Sequence, residues 1–368
     1  WDGLGAVVSD SGAYDILAPR GLLSEAEKDR LILMIREIGL ELGWTVSFSN
    51  FIVHNAWGRW LGSLGFVTSY WPDLPEAPPW RALVESKLPF LYSGIDQDGG
   101  WWEKTIAYHI FTFDLVEEWF GAAKKLDGVD LFGRELNGRR LEMMLDWLVK
   151  MAPPGGEMPL FNDSQKLNLT RGGAALRMAK TLGRGDFFKA LNLRQSKPGP
   201  VEPDRPAIPL RTPAFTSVLL EESGYGIFRE GWEPDDLYAA VKFGEHGGGH
   251  GHYDKASLYL QANGHPWLID PGYGQNETYK HNTVLVDGRD QDRATGQLLA
   301  WHHGEALDLI AVSHRGYPDI LHRRAVFYVK PGLLLVADVL DPLDGRPHAY
   351  DWRLQFNSDN GTSGEASW

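Results

Sequence analysis

A proline-rich segment divides this sequence into two halves that differ in the spacing of their apolar residues. Residues 196–213 read SKPGPVEPDRPAIPLRTP, a composition that is typical of a linker. Before this segment apolar residues recur at helical spacing, and after it short β-rich runs alternate with turn residues. We therefore predict a helical domain over residues 1–195, a linker over 196–213 and an antiparallel β-sheet domain over 214–368.

The helical prediction rests on capping and on periodicity. Ser24 and Glu27 form a capping box ahead of an apolar stripe at helical spacing. The stripe comprises Leu31, Ile32, Ile35, Ile38 and Leu42. The same period returns in residues 82–88, 105–120 and 136–151, with loops rich in glycine and proline at 70–79 and 152–160. Helical hairpins in series predict a bundle, a solenoid or an α/α toroid.

The second half predicts strands. Several of its β-rich runs alternate between apolar and polar residues, which favours an antiparallel sandwich or stacked sheets. The runs are Ser217–Leu220, Tyr225–Arg229, Tyr238–Phe243, Ser257–Ala262, Trp267–Ile269, Thr283–Val286, Ala325–Val329 and Leu333–Ala337. The chain ends in the polar stretch NSDNGTSGEASW, and we expect the β domain to continue beyond it.

Composition excludes several classes of function. The chain has no cysteine, so it has no disulfide, no thiolate nucleophile and no cysteine-ligated metal. Its formal net charge of −13 argues against a nucleic-acid partner. The sequence contains no run of eighteen apolar residues, so it predicts no membrane-spanning helix. A signal peptide is not visible in the sequence, which opens at Trp1. We expect a secreted or periplasmic bacterial protein, and the oligomeric state stays open.

The stretch 244–291 carries the strongest chemical signal. His246, His250 and His252 fall within seven residues among five glycines. Glycine lets the backbone approach a ligand closely, so a histidine cluster in such a loop indicates function rather than packing. His250 and His252 are two residues apart, and in an extended segment they point to the same side.

A divalent metal site is one interpretation of the residues that follow. His252, Asp270 and His281 stand at the ends of successive predicted strands, and a His–Asp–His set suits zinc or a similar ion. The other interpretation is that Asp270 caps a turn while His281 is a hydrogen-bonded surface residue. Spacing alone leaves the two open.

The helical half offers further candidates. The segment NFIVHNAWGRW places His54, Asn55 and Arg59 close together among aromatic residues. The segment DGGWWEKTIAYHIF holds Asp98, Glu103, Tyr108 and His109. Taken by itself, Tyr108 is typical of a core tyrosine.

These motifs together resemble the heparinase II/III-like polysaccharide lyases. The resemblance rests on H-G-H-x-D-x-x-S-x-x-L-x-A-x-G from His250, on I-D-P-G from Ile269, and on H-N-T-V-L-V-D-G-x-x-Q from His281. The helical half matches through the segment around His54 and through D-G-x-x-x-E-x-x-x-x-Y. The resemblance implies an incomplete α/α toroid followed by antiparallel sheets, with the active site in the cleft between them.

The resemblance also implies roles for single residues. Tyr108, His54 and His250 correspond to the catalytic residues, and His252, Asp270 and His281 to the ligands of a structural metal, expected to be Zn²⁺. Asp254 falls on an acidic position with an expected hydrogen-bonding role. The family's asparagine before the toroid histidine is replaced by Val53, so neutralising the substrate carboxylate falls to Asn55, Asn50 or Arg59. Glu103 completes the predicted substrate-binding set.

The implied reaction is β-elimination on a 4-O-linked uronate within an anionic polysaccharide or oligosaccharide. An enzyme must neutralise the carboxylate, remove the C5 proton and protonate the O4 leaving group. We expect Tyr108 to be the acid, and the base too for one epimer, while His54 or His250 is the opposite base or stabilises the carboxylate. Nearby positive charge would lower the pKa of the tyrosine.

Three alternatives compete with this interpretation. An α/α toroid glycoside hydrolase needs two opposed carboxylates, and Asp98, Glu103 and Asp163 are available without marking a pair. A non-catalytic carbohydrate-binding protein could dispense with Tyr108, His54 and His250. A cupin-like metal enzyme would not carry a long helical half. Alginate, heparan-type chains, chondroitin and glucuronan all fit the chemistry, and endo or exo action stays open.

Overall fold

A computed structural model describes residues 3–48, 53–166, 173–193, 207–357 and 364–366. The larger part of the predicted linker, up to residue 206, therefore lies outside the described residues, as does Asn50. Helices come first and antiparallel strands follow, which confirms the predicted fold class. The described helices are α1 (Gly3–Leu17), α2 (Glu25–Phe48), α3 (Asn55–Tyr70), α4 (Ala77–Tyr92), α5 (Ile106–Ala122), α6 (Glu142–Met151), α7 (Ala174–Thr181) and α8 (Gly185–Ala190).

The strands form three antiparallel sheets within the described residues. The first has seven strands in the order β1-β2-β3-β4-β5-β12-β13, the second has the order β10-β9-β8-β7, and β11 pairs with β6. The strands are β1 (Val218–Leu220), β2 (Tyr225–Arg229), β3 (Tyr238–Lys242), β4 (Leu258–Ala262), β5 (His265–Leu268), β6 (Val284–Val286), β7 (Gln297–His303), β8 (Leu307–Tyr317), β9 (Ile320–Val329), β10 (Leu333–Pro342), β11 (Tyr350–Trp352), β12 (Leu354–Phe356) and β13 (Gly364–Ala366).

The chain separates into two compact units. The first comprises Trp1–Ile95, His109–Met144 and Gly172–Met178. The second comprises Asp96–Tyr108, Leu145–Arg171 and Ala179–Trp368. Two stretches from the helical half of the sequence, 96–108 and 145–171, thus belong to the same unit as the sheets.

In the first unit, α3 is buried along nearly its whole length. Glycines on one of its faces leave room for α5, because a Cβ at Gly62 would lie 2.4 Å from the backbone of Leu115. The predicted capping box is present at the start of α2, where the Ser24 N–H donates to the Glu27 carboxylate over 2.8 Å. No helix among the described residues is long and apolar enough to cross a membrane.

In the second unit, the core forms between the inner faces of the two larger sheets. Phe228, Val241 and Leu258 come from the seven-stranded sheet, and Ile310 and Val326 come from the four-stranded sheet. Strands β2 and β3 of the seven-stranded sheet are buried at every position. Buried side chains from both larger sheets thus form one hydrophobic core.

Candidate active site and metal-binding residues

Tyr108 and His250 lie face to face in the second unit. Their rings stack with centroids 3.6 Å apart and planes inclined by 21°. Tyr108 stands in the first turn of α5, where its N–H donates to the Thr105 hydroxyl over 2.9 Å. His250 ends a short 3₁₀ turn, and its side chain is 27% exposed. The structure thus brings two of the three predicted catalytic residues together, and one of them is partly exposed to solvent.

Glycine allows the loop that carries His246, His250 and His252 to lie close to the segment before Tyr108. Gly247 has φ +87°, and a Cβ there would lie 2.6 Å from the carbonyl oxygen of Glu103. A larger residue would therefore clash with the segment that precedes Tyr108, besides being strained at this φ. The glycine-rich composition noted in the sequence has this steric cause.

The pKa of Tyr108 is raised above its ordinary value. Burial is the largest cause, followed by a hydrogen bond with the Tyr273 hydroxyl and by the negative charges of Asp163 and Glu103. A lowered pKa would require nearby positive charge, whereas here burial raises the pKa and the charges of Asp163 and Glu103 act in the same direction. Tyr108 therefore keeps its proton at neutral pH.

Asp163 contacts two of the three histidines in this loop, His250 and His252. Its Oδ2 lies 3.0 Å from His250 Nδ1, and its Oδ1 lies 3.2 Å from His252 Nε2. The Gly274 N–H also donates to Oδ1 over 2.8 Å. Burial acts to raise the pKa of Asp163, but these hydrogen bonds outweigh burial and lower it. The carboxylate is therefore ionised.

Glu103 approaches the other side of His250. One carboxylate oxygen accepts a 2.6 Å hydrogen bond from the Trp101 indole, and the other lies 3.7 Å from His250 Nε2. The residue is only 3% exposed. Its placement favours an electrostatic role toward His250, and its predicted role in substrate binding stays a prediction.

His252, Asp270 and His281 come together as a buried group in the second unit. One ligand atom from each lies within 4.8 Å of the others, and this is the group suited to a metal within the part of the chain that the structure describes. His281 is fully buried, unlike the surface residue that the alternative interpretation assumed. Its Nδ1 lies 3.2 Å from Asp270 Oδ2.

The remaining ring nitrogens fit a metal site. The Nε2 of His281 lies 2.9 Å from the Gln275 carbonyl oxygen, and the Nε2 of His252 faces Asp163. The Nδ1 of His252 is buried and has no hydrogen-bond partner among the described residues. An outer partner on one nitrogen and a free lone pair on the other is the usual state of a metal-binding histidine. The donor set therefore fits a divalent ion.

Asp254 has a separate role next to this group. Both of its oxygens accept hydrogen bonds from Lys242 Nζ, over 2.5 and 2.6 Å. Lys242 also donates to Asn162, whose side-chain oxygen accepts the His252 N–H over 3.0 Å. This buried ion pair supports the loop, in keeping with the hydrogen-bonding role expected for Asp254.

The other predicted residues belong to the first unit. His54 caps the N-terminus of α3, where its Nδ1 accepts the Trp57 N–H over 3.3 Å, and Asn55 is the first residue of that helix. The guanidinium of Arg59 lies 4.0 Å above the Phe111 ring and 3.5 Å from Asp114. His109 is buried and is bonded to the Met144 carbonyl oxygen. Asn50 lies outside the described residues.

Two residues at this site were not singled out by the sequence. The sequence marks Asp163 only as an available carboxylate and gives no signal at Tyr273. Asp163 follows Asn162, which is fully buried with φ +59°, an uncommon conformation for a residue other than glycine. A lone Asn-Asp pair in a loop predicts a turn, so no local signal marked this position.

Comparisons with known proteins agree with these motifs. Residues 49–179 match the family model "Heparinase II/III N-terminus", and residues 212–367 match "Heparinase II/III-like, C-terminal". A heparin-sulfate lyase of Pedobacter heparinus is 23% identical over 293 residues, which cover 74% of this chain and 42% of that protein. A heparin-sulfate lyase of Bacteroides thetaiotaomicron is 28% identical over 178 residues, covering 42% of this chain and 24% of that protein.

Solved structures show the same fold. A crystal structure of heparinase III aligns with TM-score 0.77 and 18% identity, covering 95% of this chain and 56% of the other. The heparan sulfate lyase HepC from Pedobacter heparinus aligns with TM-score 0.75 and 18% identity, covering 97% of this chain and 55% of the other. The chain spans about two fifths of the length of the curated relative from Pedobacter heparinus.

Proposed function

Because the chain belongs to the heparinase II/III-like family, we propose that it is a polysaccharide lyase that cleaves a uronic-acid-containing polymer by β-elimination. The observation that carries the proposal is the stacked pair of Tyr108 and His250, which combines a protonated phenol with an imidazole edge open to solvent. The relatives described above are named heparin-sulfate lyases, which favours a glycosaminoglycan over alginate as the substrate.

The chemistry requires two proton transfers. The C5 proton of a 4-O-linked uronate is α to the carboxylate, and its removal forms the C4–C5 double bond while the C4–O4 bond breaks. A base must accept the C5 proton, and an acid must deliver a proton to O4. Each such group contributes on the order of a hundredfold or more in rate.

Tyr108 is the acid in this proposal. Its raised pKa keeps the phenol neutral before the reaction, so a proton is available for O4. The tyrosinate left behind regains a proton from the base or from solvent. The negative charges of Asp163 and Glu103 favour that return, because they disfavour the ionised phenol.

His250 is the base. Its Nδ1 faces the ionised Asp163 carboxylate, which can only accept a hydrogen bond, so Nδ1 carries a proton and Nε2 offers the lone pair. The C5 proton moves to Nε2, and the imidazolium that forms lies 3.7 Å from Glu103. Neutralisation of the substrate carboxylate stays a prediction for His54, Asn55, Arg59 and Asn50.

We infer further that His252, Asp270 and His281 hold a divalent ion, for which Zn²⁺ suits the two imidazoles and one carboxylate. When bound, the ion supplies structural bonds between the segments that carry its ligands. The two histidines would bind through Nδ1, since their Nε2 atoms face Asp163 and Gln275. No proton transfer in the proposed reaction involves this ion.

The proposal is tested by incubation with heparan sulfate, chondroitin, glucuronan and alginate. Lyase action produces an unsaturated uronate that absorbs in the ultraviolet, so the absorbance of the reaction mixture rises as product accumulates. Tyr108→Phe keeps the ring stack and removes the proton, so we expect its rate to fall about a hundredfold or more. Tyr317→Phe is the matched control, because it removes a buried hydroxyl that donates to the Val284 carbonyl oxygen over 3.0 Å.

The outcomes separate the candidate activities. Rising absorbance on a glycosaminoglycan that Tyr108→Phe loses and Tyr317→Phe retains would support the proposal and identify the substrate. New reducing ends without absorbance would instead indicate hydrolysis. Full activity of Tyr108→Phe would remove the tyrosine from the mechanism.

A further inference from the structure

Asp163 presents one carboxylate to two histidines with different tasks. We propose that Asp163 is a positioning residue that fixes the proton on Nδ1 of His250 and on Nε2 of His252, so that one histidine is prepared as a base and the other as a metal ligand. The inference rests on the proposed lyase reaction for its kinetic consequence and on the proposed metal site for its effect on zinc affinity. The tautomers and the metal affinity that it predicts can be measured without any substrate.

The geometry at His250 requires one tautomer. An ionised carboxylate accepts hydrogen bonds and donates none, so the 3.0 Å contact from Asp163 Oδ2 needs a proton on His250 Nδ1. In the neutral ring the lone pair is then on Nε2, the atom 3.7 Å from Glu103. Without Asp163, nothing described at Nδ1 would favour this tautomer over the other.

The geometry at His252 requires the opposite tautomer. Here the 3.2 Å contact joins Asp163 Oδ1 to Nε2, so Nε2 carries the proton and the lone pair is on Nδ1. That Nδ1 is buried without a partner among the described residues, which is the state needed for a bond to a metal. The same carboxylate therefore orients both rings, although the two histidines are separated by one residue.

Asp163 is itself held from several directions. Its N–H donates to the His250 carbonyl oxygen over 3.1 Å, and Oδ1 accepts the Gly274 N–H. The preceding residue, Asn162, donates to the Lys104 carbonyl oxygen over 2.6 Å and accepts the His252 N–H. These bonds fix the carboxylate relative to both rings, as a positioning residue requires.

Two substitutions at Asp163 have different consequences. In Asp163→Asn, the amide oxygen is expected to face the Gly274 N–H and the His252 Nε2–H, because an NH₂ group there would meet two donors. The NH₂ group then faces His250 Nδ1 and forces the proton onto Nε2. Asp163→Ala removes both contacts. The first variant should retain the metal and lose the base, and the second should lose both.

The experiment records long-range ¹H–¹⁵N spectra of zinc-bound protein in which the twelve histidines carry ¹⁵N. The His250 signal is identified as the one that is lost in His250→Gln. We expect the His250 proton on Nδ1 in the natural protein and on Nε2 in Asp163→Asn. Zinc affinity should be unchanged in Asp163→Asn and fall on the order of 10- to 100-fold in Asp163→Ala. If the protein is a lyase, kcat of Asp163→Asn should fall on the order of 10²- to 10⁴-fold with little change in KM.

Asp308→Asn is the matched control. Asp308 is also a buried carboxylate bonded to a histidine, at 2.6 Å from His303 Nδ1, and to a backbone N–H, that of Gly304. This variant should change the His303 signal and leave His250, zinc affinity and kcat as they were. A His250 proton that stays on Nδ1 in Asp163→Asn would overturn the proposal, and so would equal loss of zinc in the two Asp163 variants. Absence of lyase activity in the natural protein and in every variant would refute the proposed function. The His250 tautomer and the zinc affinities would still decide whether Asp163 is a positioning residue.

Discussion

At the scale of single residues, Asp338 shows how a buried carboxylate stabilises the four-stranded sheet. It accepts hydrogen bonds from His322 Nε2 over 2.7 Å, from Arg324 Nε over 2.8 Å and from the Trp352 indole over 2.8 Å. Arg324 in turn donates to the carbonyl oxygens of Ala256 and Asn282, which stand near the histidine loop and after His281. The carboxylate therefore supports the segments around the proposed metal site.

This network makes stability depend on pH in a defined direction. Burial acts to raise the pKa of Asp338, but His322 and Arg324 outweigh it and hold the pKa well below the ordinary value. The native state then binds fewer protons than the unfolded chain, so this contribution is present above about pH 4 and is lost as the pH falls further. We expect Asp338→Asn to lower the free energy of unfolding by about 3 kcal/mol at pH 7, because it breaks a buried ion pair.

Urea unfolding at pH 7 and pH 3 tests this prediction. Asp338→Asn should lose less stability between the two pH values than the natural protein does. The control is Asp341→Asn, on the same strand, whose ion pair with Arg323 is solvent-exposed and should contribute less than about 1 kcal/mol. Equal pH dependence in the natural protein and Asp338→Asn would contradict the assignment.

At the scale of elements, α3 and α5 pack through glycine. A Cβ at Gly58, Gly62 or Gly65 would meet Thr112, Leu115 or Trp119 at less than 3.0 Å. These glycines recur at three- and four-residue spacing, so they form one face of α3. The close approach of the two helices depends on that face, although glycine weakens a helix by roughly 0.5–1 kcal/mol relative to alanine.

Gly62→Ala should therefore destabilise the first unit despite its better helix propensity. The added methyl would lie 2.4 Å from the Leu115 backbone, which cannot rotate away, and overpacking of this kind costs about 1–3 kcal/mol. Gly121→Ala in α5 is the control, since nothing lies within 4 Å of its Cβ position and it should stabilise the protein by up to about 1 kcal/mol. Thermal unfolding of both variants checks the prediction, and a stabilised Gly62→Ala would show that the helices can separate at no cost.

At the scale of the whole molecule, metal removal is the broadest test. A ligand that binds only the folded state stabilises it by about 4 kcal/mol at a thousand times its dissociation constant. We expect a chelator to lower the melting temperature and zinc to restore it, because His252, Asp270 and His281 are buried together. His281→Gln should abolish this response.

His348→Gln should retain the response to the chelator. His348 is bonded to Asp287 and Asp344, but both of its ring nitrogens are occupied by these carboxylates, so it leaves no lone pair for a metal. Immediate loss of turnover on chelation, with an unchanged melting temperature, would contradict a structural role for the ion and indicate a catalytic one.

Much of the architecture could be predicted from local patterns. Each of the eight β-rich runs overlaps a strand, and the capping box stands at the start of α2. Strands β7 and β8 were missed, together with the three strands that follow β10. β7 is largely exposed on both faces, so its residues lack the alternation that identifies a half-buried strand. Export and the identity of the metal stay predictions.

The sequence by itself determined the order of helices and sheets, the glycine-rich segment that carries His250 and His252, and the three residues proposed to hold a metal, because periodicity, turn residues and short motifs are local properties. Only the tertiary structure decided that Tyr108 stacks on His250, that burial raises the pKa of Tyr108, and that Asp163 contacts two histidines. His250 and Asp163 are 87 residues apart in the sequence. Contacts across such distances follow from packing of the whole second unit, and the charge around a buried group is the sum of neighbours that no local pattern specifies.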